Sequence, residues 1–229
     1  MKGGAAIVRG RLALLTLGAL IVAPPARADW ATGAYLGASL TLPNSLTLRT
    51  GPIEQTIDDV YYQSESFRSP QYYGVRLGYY FERRPSLGIE GELIHLKAFA
   101  KITPALRDAG IDRFSISHGL NYLLANVVVR RPLGVAVDRP RGWVTARAGA
   151  GLTVPHGESS IAGVAQEQYE RGRGGVQLAA GGEVRLVSRL TAFGEYKLTH
   201  ARARVSVTGG TIEGGFLSHQ VAFGLGWQR

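Results

Sequence analysis

The sequence predicts an all-β fold, an eight-stranded antiparallel up-and-down transmembrane β-barrel, and three observations carry that expectation. Eight short segments alternate a lipid-compatible side chain with a small or polar one, the two-residue period of a strand. They follow an N-terminal stretch with the make-up of a removable export leader. Beyond that leader, no apolar run approaches the roughly 20 residues of a spanning helix. A bilayer core offers backbone groups no water, so strands can cross it only as a closed barrel.

The leader is expected over residues 1–28. Lys2, Arg9 and Arg11 precede an apolar run over 12–22. Pro24 and Pro25, then Ala26, Arg27 and Ala28, supply a breaker and a small-x-small cleavage site before Asp29. The barrel domain then spans 29–229. Cysteine is absent from the 229 residues, which is compatible with export and excludes disulfides, thiol catalysis and thiolate metal sites. The formal net charge is +9; without the four basic leader residues, 22 basic side chains face 17 acidic ones. That modest excess suits an anionic glycolipid surface and gives no case for nucleic acid. Mean hydropathy is +0.01, as expected where lipid-facing and lumen-facing residues alternate.

The first strand is read over 30–41, with Trp30 as an interfacial anchor. A polar stretch over 42–69 follows as a long extracellular loop. The second strand, 71–82, sets Tyr73, Val75, Leu77, Tyr79 and Phe81 against Gly74, Arg76, Gly78 and Tyr80. A short periplasmic turn leads to the third, 87–97, with Leu87, Ile89 and Leu93 outward and Glu90 and Glu92 inward. A second outer loop over 101–113 precedes the fourth strand, 114–130. There Leu120, Tyr122 and Leu124 share one face, and Ser117, Gly119 and Asn121 the other.

A Pro- and Gly-containing inner turn over 131–141 leads to the fifth strand, 142–155. Its Val144, Ala146, Ala148, Ala150, Leu152 and Val154 make the clearest lipid-facing row in the chain. A third outer loop, 156–172, precedes strand six, 173–187, with Gln177, Glu183 and Arg185 on one side. Strand seven, 190–205, turns Glu195, Lys197 and Thr199 inward, and a last loop over 205–215 leads to strand eight, 216–228. Long loops alternate with short turns, as transmembrane barrels require. The closing alternation of Phe223, Leu225 and Trp227 resembles the signal read by the outer-membrane assembly machinery. A soluble ligand-binding barrel would reverse the pattern, with apolar side chains inside. Eight inward charges (Arg76, Glu90, Glu92, Arg147, Glu183, Arg185, Glu195 and Lys197) argue against a dry pocket.

An eight-stranded barrel fills its lumen with side chains, so a wide pore is not expected. The inward charges read either as a salt-bridged plug, the favoured reading, or as a proton path with a catalytic carboxylate. All five histidines fall at the outer ends of strands, at positions 95, 118, 156, 200 and 219. Barrel closure brings successive rims together, which makes His118, His156 and His219 candidate ligands for a divalent metal. No H-x-H or H-E-x-x-H spacing is present. No serine stands two residues from a histidine, so a serine hydrolase would have to pair its groups across strands. Basic residues near the outer rim (Lys97, Lys101, Arg113, Arg171, Arg173, Arg202 and Arg204) suit lipopolysaccharide phosphates.

Several motifs occur in order through the second half. They are Ser-His-Gly-Leu-Asn (117–121), Gly-Ala-Gly-Leu-Thr-Val-Pro-His (149–156), Gln-Tyr-Glu then Gly-Val-Gln (168–177) and Phe-Gly-Glu-Tyr-Lys (193–197). With Gly-Gly-Thr (209–211) and Ser-His-Gln-Val (218–221), this set resembles the small outer-membrane β-barrel family that includes the lipid A oxidase of rhizobia. The resemblance covers about residues 70–228. It implies the outer membrane of a Gram-negative bacterium and lipid A, or lipopolysaccharide, as a partner alongside the surrounding outer-membrane lipids. It also implies an oxygen-dependent conversion of the proximal glucosamine to 2-aminogluconate.

Asn121, His156, Glu195 and Lys197 are the matching positions able to do polar chemistry. His118 stands where relatives often carry an acid. On the oxidase reading, His156 and neighbouring histidines would hold a metal and Glu195 would handle protons. The competing reading is a non-enzymatic structural or surface-interaction barrel. An enzyme should bring His156 within a few ångströms of another polar motif residue. A structural barrel should scatter its histidines and pair its charges completely.

Overall fold

The computed structural model describes residues 29–133 and 140–229. The expected leader lies outside the described residues, as does the middle of the expected inner turn. The strands in chain order are β1 (Asp29–Thr41), β2 (Asn44–Thr50), β3 (Ile53–Val60), β4 (Tyr62–Gln63), β5 (Tyr73–Phe81) and β6 (Arg84–Ala100). After a short helix α1 (Pro104–Asp108) come β7 (Ile111–Leu133), β8 (Gly142–Ile161), β9 (Val164–Tyr169), β10 (Gly175–Val187), β11 (Leu190–Val207) and β12 (Gly210–Gln228). Eight of them, β1, β5, β6, β7, β8, β10, β11 and β12, follow one another around a ring, and β12 closes it by pairing with β1. Every ladder is antiparallel, so the expected eight-stranded up-and-down barrel is the fold.

The outer wall follows the alternation read from sequence. Val144, Leu152 and Val154 on β8, Val75 and Leu77 on β5, and Phe223, Leu225 and Trp227 on β12 are all exposed to the surroundings. The row from Val144 to Val154 runs about 33 Å along the strand, or about 25 Å along the membrane normal at a tilt of roughly 40°. That is the height of an outer-membrane apolar band. Trp30 packs edge-on against Tyr79, with ring centroids 5.2 Å apart, at the end carrying both described termini.

At the opposite end the expected loops are largely sheet. Residues 42–69 contain the β2–β3 hairpin and β4; β2 pairs with the first residues of β12, and β4 pairs with β6. The expected loop over 156–172 is the end of β8 folded back as β9. Ala162 and Gly163, at φ 48° and 79°, make the two-residue turn that such a tight hairpin requires. Likewise β11 and β12 run on to Val207 and from Gly210, through the stretch expected as the last loop. The loop over 101–113 is capped by α1, whose first turn is closed by Thr103 Oγ1 accepting from Leu106 N at 3.4 Å.

These segments read as loops because their polarity pattern inverts above the bilayer. In β11 the membrane part points Glu195 and Lys197 in; beyond it Ala201, Ala203, Val205 and Val207 point in while Arg202 and Arg204 face water. Leu46 and Leu48 of β2, Ile57 and Val60 of β3, Leu106 of α1 and Ile212 and Phe216 of β12 join them in one buried cluster. The barrel is therefore inside-out within the membrane and conventionally cored above it. Water drives apolar side chains inward only where water is the outer solvent.

Candidate functional site

The membrane-level lumen is filled by three cations and three carboxylates contributed by four strands. Arg76 (β5) places Nε 3.7 Å from Glu90 Oε2 and Nη1 3.2 Å from Glu195 Oε2. Arg147 (β8) donates from Nε to Glu90 Oε1 at 3.1 Å and also reaches Glu195. Lys197 (β11) donates to Glu195 Oε1 at 2.8 Å and reaches Glu92. Each of these side chains is almost completely removed from solvent.

The remaining lone pairs of this cluster are met by neutral groups. Tyr35 donates its hydroxyl to Glu92 Oε1 at 2.7 Å, Asn126 donates Nδ2 to Glu92 Oε2 at 2.9 Å, and Gln177 donates to Glu92. The Arg76 guanidinium lies 3.8 Å from the centre of the Phe193 ring. Close approach needs glycine opposite. A Cβ on Gly149 would stand 1.8 Å from Asn126 Oδ1, and one on Gly74 would stand 2.1 Å from Tyr35 Cζ. Full pairing at neutral net charge is what makes burial of six ions sustainable, since an unpaired one costs several kcal/mol.

Contacts among the described residues bridge the lumen toward both ends. Toward the turn end, Arg130 holds Asp29 Oδ2 at 2.8 Å and the Pro85 carbonyl at 2.8 Å, and stacks 3.6 Å over Tyr80. Glu183, expected among the inward charges, accepts from Gln228 Nε2 at 2.8 Å, and Arg185 lies 5.2 Å from the Trp143 ring. Toward the outside, Tyr72 donates to Gln220 Oε1 at 2.8 Å beneath the apolar cluster.

A second polar constellation sits on the outer side of the rim. Between Ile116 and Leu120 the β7 ladder shifts register, with Gly119 at φ 104°. Strict alternation would give His118 the inward face of Leu120; the bulge turns it outward, half exposed, beside β8. Its ring centroid lies 4.6 Å from that of His156. Glu158, two residues on from His156, shares that face of β8, and Glu167 of β9 pairs directly opposite Glu158. His118 Nδ1 is 3.2 Å from Glu158 Oε1, and His156 Nε2 is 3.2 Å from Glu167 Oε1.

The candidate residues thus fall in four places. Glu195 and Lys197 belong to the lumen plug, separated from His156 by the barrel wall. His118 and His156 meet at the rim. Asn121 faces outward, its Oδ1 accepting from His95 Nδ1 at 2.8 Å while its Nδ2 donates to the Val154 carbonyl at 3.2 Å. His219 lies on the outer wall of β12, bonded to Tyr196 of β11, and does not join His118 and His156. Lys97 is likewise not on the exposed rim: it is buried and donates to the Arg68 carbonyl at 3.0 Å.

Gln177 lies in the plug, on the side of strand six that the sequence shares with Glu183. Sequence reading missed Tyr35 and Asn126 in the plug and Glu158 and Glu167 at the rim. The first two carry no charge to draw attention. Glu158 was legible as a His-x-Glu pair on one strand face. Glu167 arrives only through the hairpin register.

A closed ring with a lipid-compatible wall and an ionic plug defines a transmembrane barrel of the smallest usual size. The chain belongs to the outer membrane protein beta-barrel domain family, whose model matches residues 12–228. Among solved structures, Neisserial surface protein A is 10% identical at a TM-score of 0.40, with 87% of this chain and 95% of that chain covered. Ail, the attachment invasion locus protein of Yersinia pestis, is 10% identical at a TM-score of 0.36, covering 89% and 100%. No curated protein matches the chain.

Proposed function

We propose that this chain is a non-enzymatic surface barrel. It is exported by a leader cleaved before Asp29, embedded among lipopolysaccharide molecules of a Gram-negative outer membrane, and works through its extracellular hairpins. The observation that carries this reading is the lumen plug. Glu195 and Lys197, the motif residues best suited to proton transfer, are spent on each other and on Arg76, Arg147 and Glu92. A general acid or base must reach the proton it moves directly or through one water. Among the described residues, neither side chain is exposed by more than 1%.

Contact with lipopolysaccharide is supported by Arg202 and Arg204, exposed side by side on the outer face of β11 just above its lipid-facing residues. Guanidinium groups suit phosphate by paired, charge-assisted hydrogen bonds. Folding the extracellular segments into sheet on an apolar core makes them a rigid platform for presenting β2–β3 and β8–β9.

The second reading is the lipid A oxidase of the sequence resemblance. The pairing of His118 and His156 at the rim favours it, because the headgroup sugars of the outer leaflet lie at that height. The two readings separate by mass spectrometry of lipid A from membranes grown under air with and without the protein. The surface-barrel reading expects identical lipid A in both, with the folded barrel verified in the membrane. A gain of one oxygen atom that disappears with His156→Ala would overturn it in favour of the oxidase.

A further inference from the structure

We infer that His118, His156, Glu158 and Glu167 form a binding site for one divalent transition-metal ion of the zinc class, which clamps the β8–β9 hairpin to β7 at the membrane surface. The four residues come from three adjacent strands, and one potential ligand atom from each lies within 4.8 Å of the other three. Tetrahedral zinc with bonds of about 2.0–2.1 Å sets its ligands roughly 3.3–3.4 Å apart. Two separations are already 3.2 Å, and His118 Nδ1 to Glu167 Oε1 is 4.0 Å. Side-chain rotation alone can close the remaining gaps, since His118 and Glu167 are both more than half exposed.

Two imidazoles and two carboxylates are the donor set that first-row divalent ions accept, and they exclude the soft-ligand preference of copper(I). The surroundings fit an added charge. Arg113 holds Glu158 through Oε2, leaving Oε1 on the histidine side, and Ser117 donates to that oxygen. Arg113 thus supplies the outer hydrogen bond that orients a ligating carboxylate. Two carboxylates against one arginine leave an uncompensated negative charge when both imidazoles are neutral.

A second observation stands apart from the cluster itself. The His156 ring is buried beneath Tyr169, 4.1 Å away between ring centroids, and its Nδ1 has no hydrogen-bond partner among the described residues. The nitrogen facing the cluster is Nε2, 3.2 Å from Glu167 Oε1, so packing against Tyr169 sets the ligating edge of the ring toward the other three residues. Glu167 is anchored by the tight turn at Ala162 and Gly163, so the ion would fasten a hairpin to the wall from which it projects. Metal binding here is expected whether the barrel is an enzyme or a scaffold.

The test uses the full mature barrel refolded in detergent micelles and titrated with zinc chloride against a chromophoric chelator. One zinc per barrel is expected, with X-ray absorption reporting two imidazole ligands. His118→Ala and His156→Ala should each weaken binding by at least about 10- to 100-fold, the cost of losing even an outer hydrogen-bond partner of a ligand. Glu158→Gln and Glu167→Gln, which preserve side-chain shape, should weaken it with the barrel still folded by its heat-modifiable gel mobility. His219→Ala and His200→Ala should leave it unchanged. Folded wild-type barrel that takes up no zinc at micromolar concentration would overturn the assignment. So would stoichiometric binding that survives the His118→Ala/His156→Ala double replacement, or binding that falls equally with His219→Ala.

Discussion

Replacing Glu195 by Gln probes whether the lumen ions are a structural plug or groups held ready for chemistry. Glu195 is the only carboxylate in the cluster touching all three cations, with Arg76 at 3.2 Å, Lys197 at 2.8 Å and Arg147 closer still. The amide keeps the volume and removes the charge. Three buried cations then face only Glu90 and Glu92, so one positive charge is uncompensated in the buried cluster. Breaking a buried pair in this way costs about 3–5 kcal/mol. That corresponds to roughly two to four powers of ten in the folding equilibrium.

The companion variant Glu195→Gln/Lys197→Met restores neutrality, with Arg76 and Arg147 still on Glu90. Glu92 keeps its bonds from Tyr35, Asn126 and Gln177. It should recover about 1–3 kcal/mol of the loss, read as the coupling energy of a double-mutant cycle. Equilibrium unfolding in urea, followed by the fluorescence of Trp30, Trp143 and Trp227, measures both. Glu195→Gln within about 1 kcal/mol of wild type, with a strictly additive double variant, would refute the plug.

Three further outcomes follow from the same geometry. Gly149→Ala drives a Cβ to within 1.8 Å of Asn126 Oδ1 and should destabilise the barrel by about 1–3 kcal/mol in the same urea assay. Leu46→Ala empties a completely buried position under the β2–β3 hairpin and should cost about 2–5 kcal/mol locally. Limited proteolysis should cut within residues 44–60 faster while the membrane ring stays intact. Ala148→Arg on the lipid face near the middle of the apolar row should cost about 2–4 kcal/mol in a bilayer, whereas Arg204→Ala above that row should change unfolding little.

How much was legible in advance can be judged strand by strand. On β8 the row from Val144 to Val154 faces outward and Thr145, Arg147 and Thr153 face inward, as the alternation alone required. The same holds for Glu90 and Glu92 on β6 and for Glu195 and Lys197 on β11. The segments above the membrane read as loops because water, not lipid, lies outside the wall there and the lipid-facing alternation is lost. In β2 and the ends of β11 and β12 the alternation persists with opposite polarity, so Leu46, Leu48, Val205 and Ile212 point inward under water-facing neighbours. The rim position of His118 was legible, and its partner His156 with it, but the face it presents was not. Parity assigns it the face of Leu120, and the β7 bulge around Gly119 reverses that assignment.

By itself the sequence determined the number of membrane strands, the face each residue presents within the bilayer, and the set of charges that must share the lumen. These are properties of the two-residue pleat and of the hydrocarbon outside it, and both act along a single strand. Which charges meet, which histidines converge and whether the extracellular segments fold were decided only by the tertiary structure. Those outcomes depend on register between strands, set by tilt, by one bulge and by one tight hairpin. A one-residue slip in any of these would exchange the partners of Glu195, or separate His118 from His156, while leaving every local pattern in the chain unchanged.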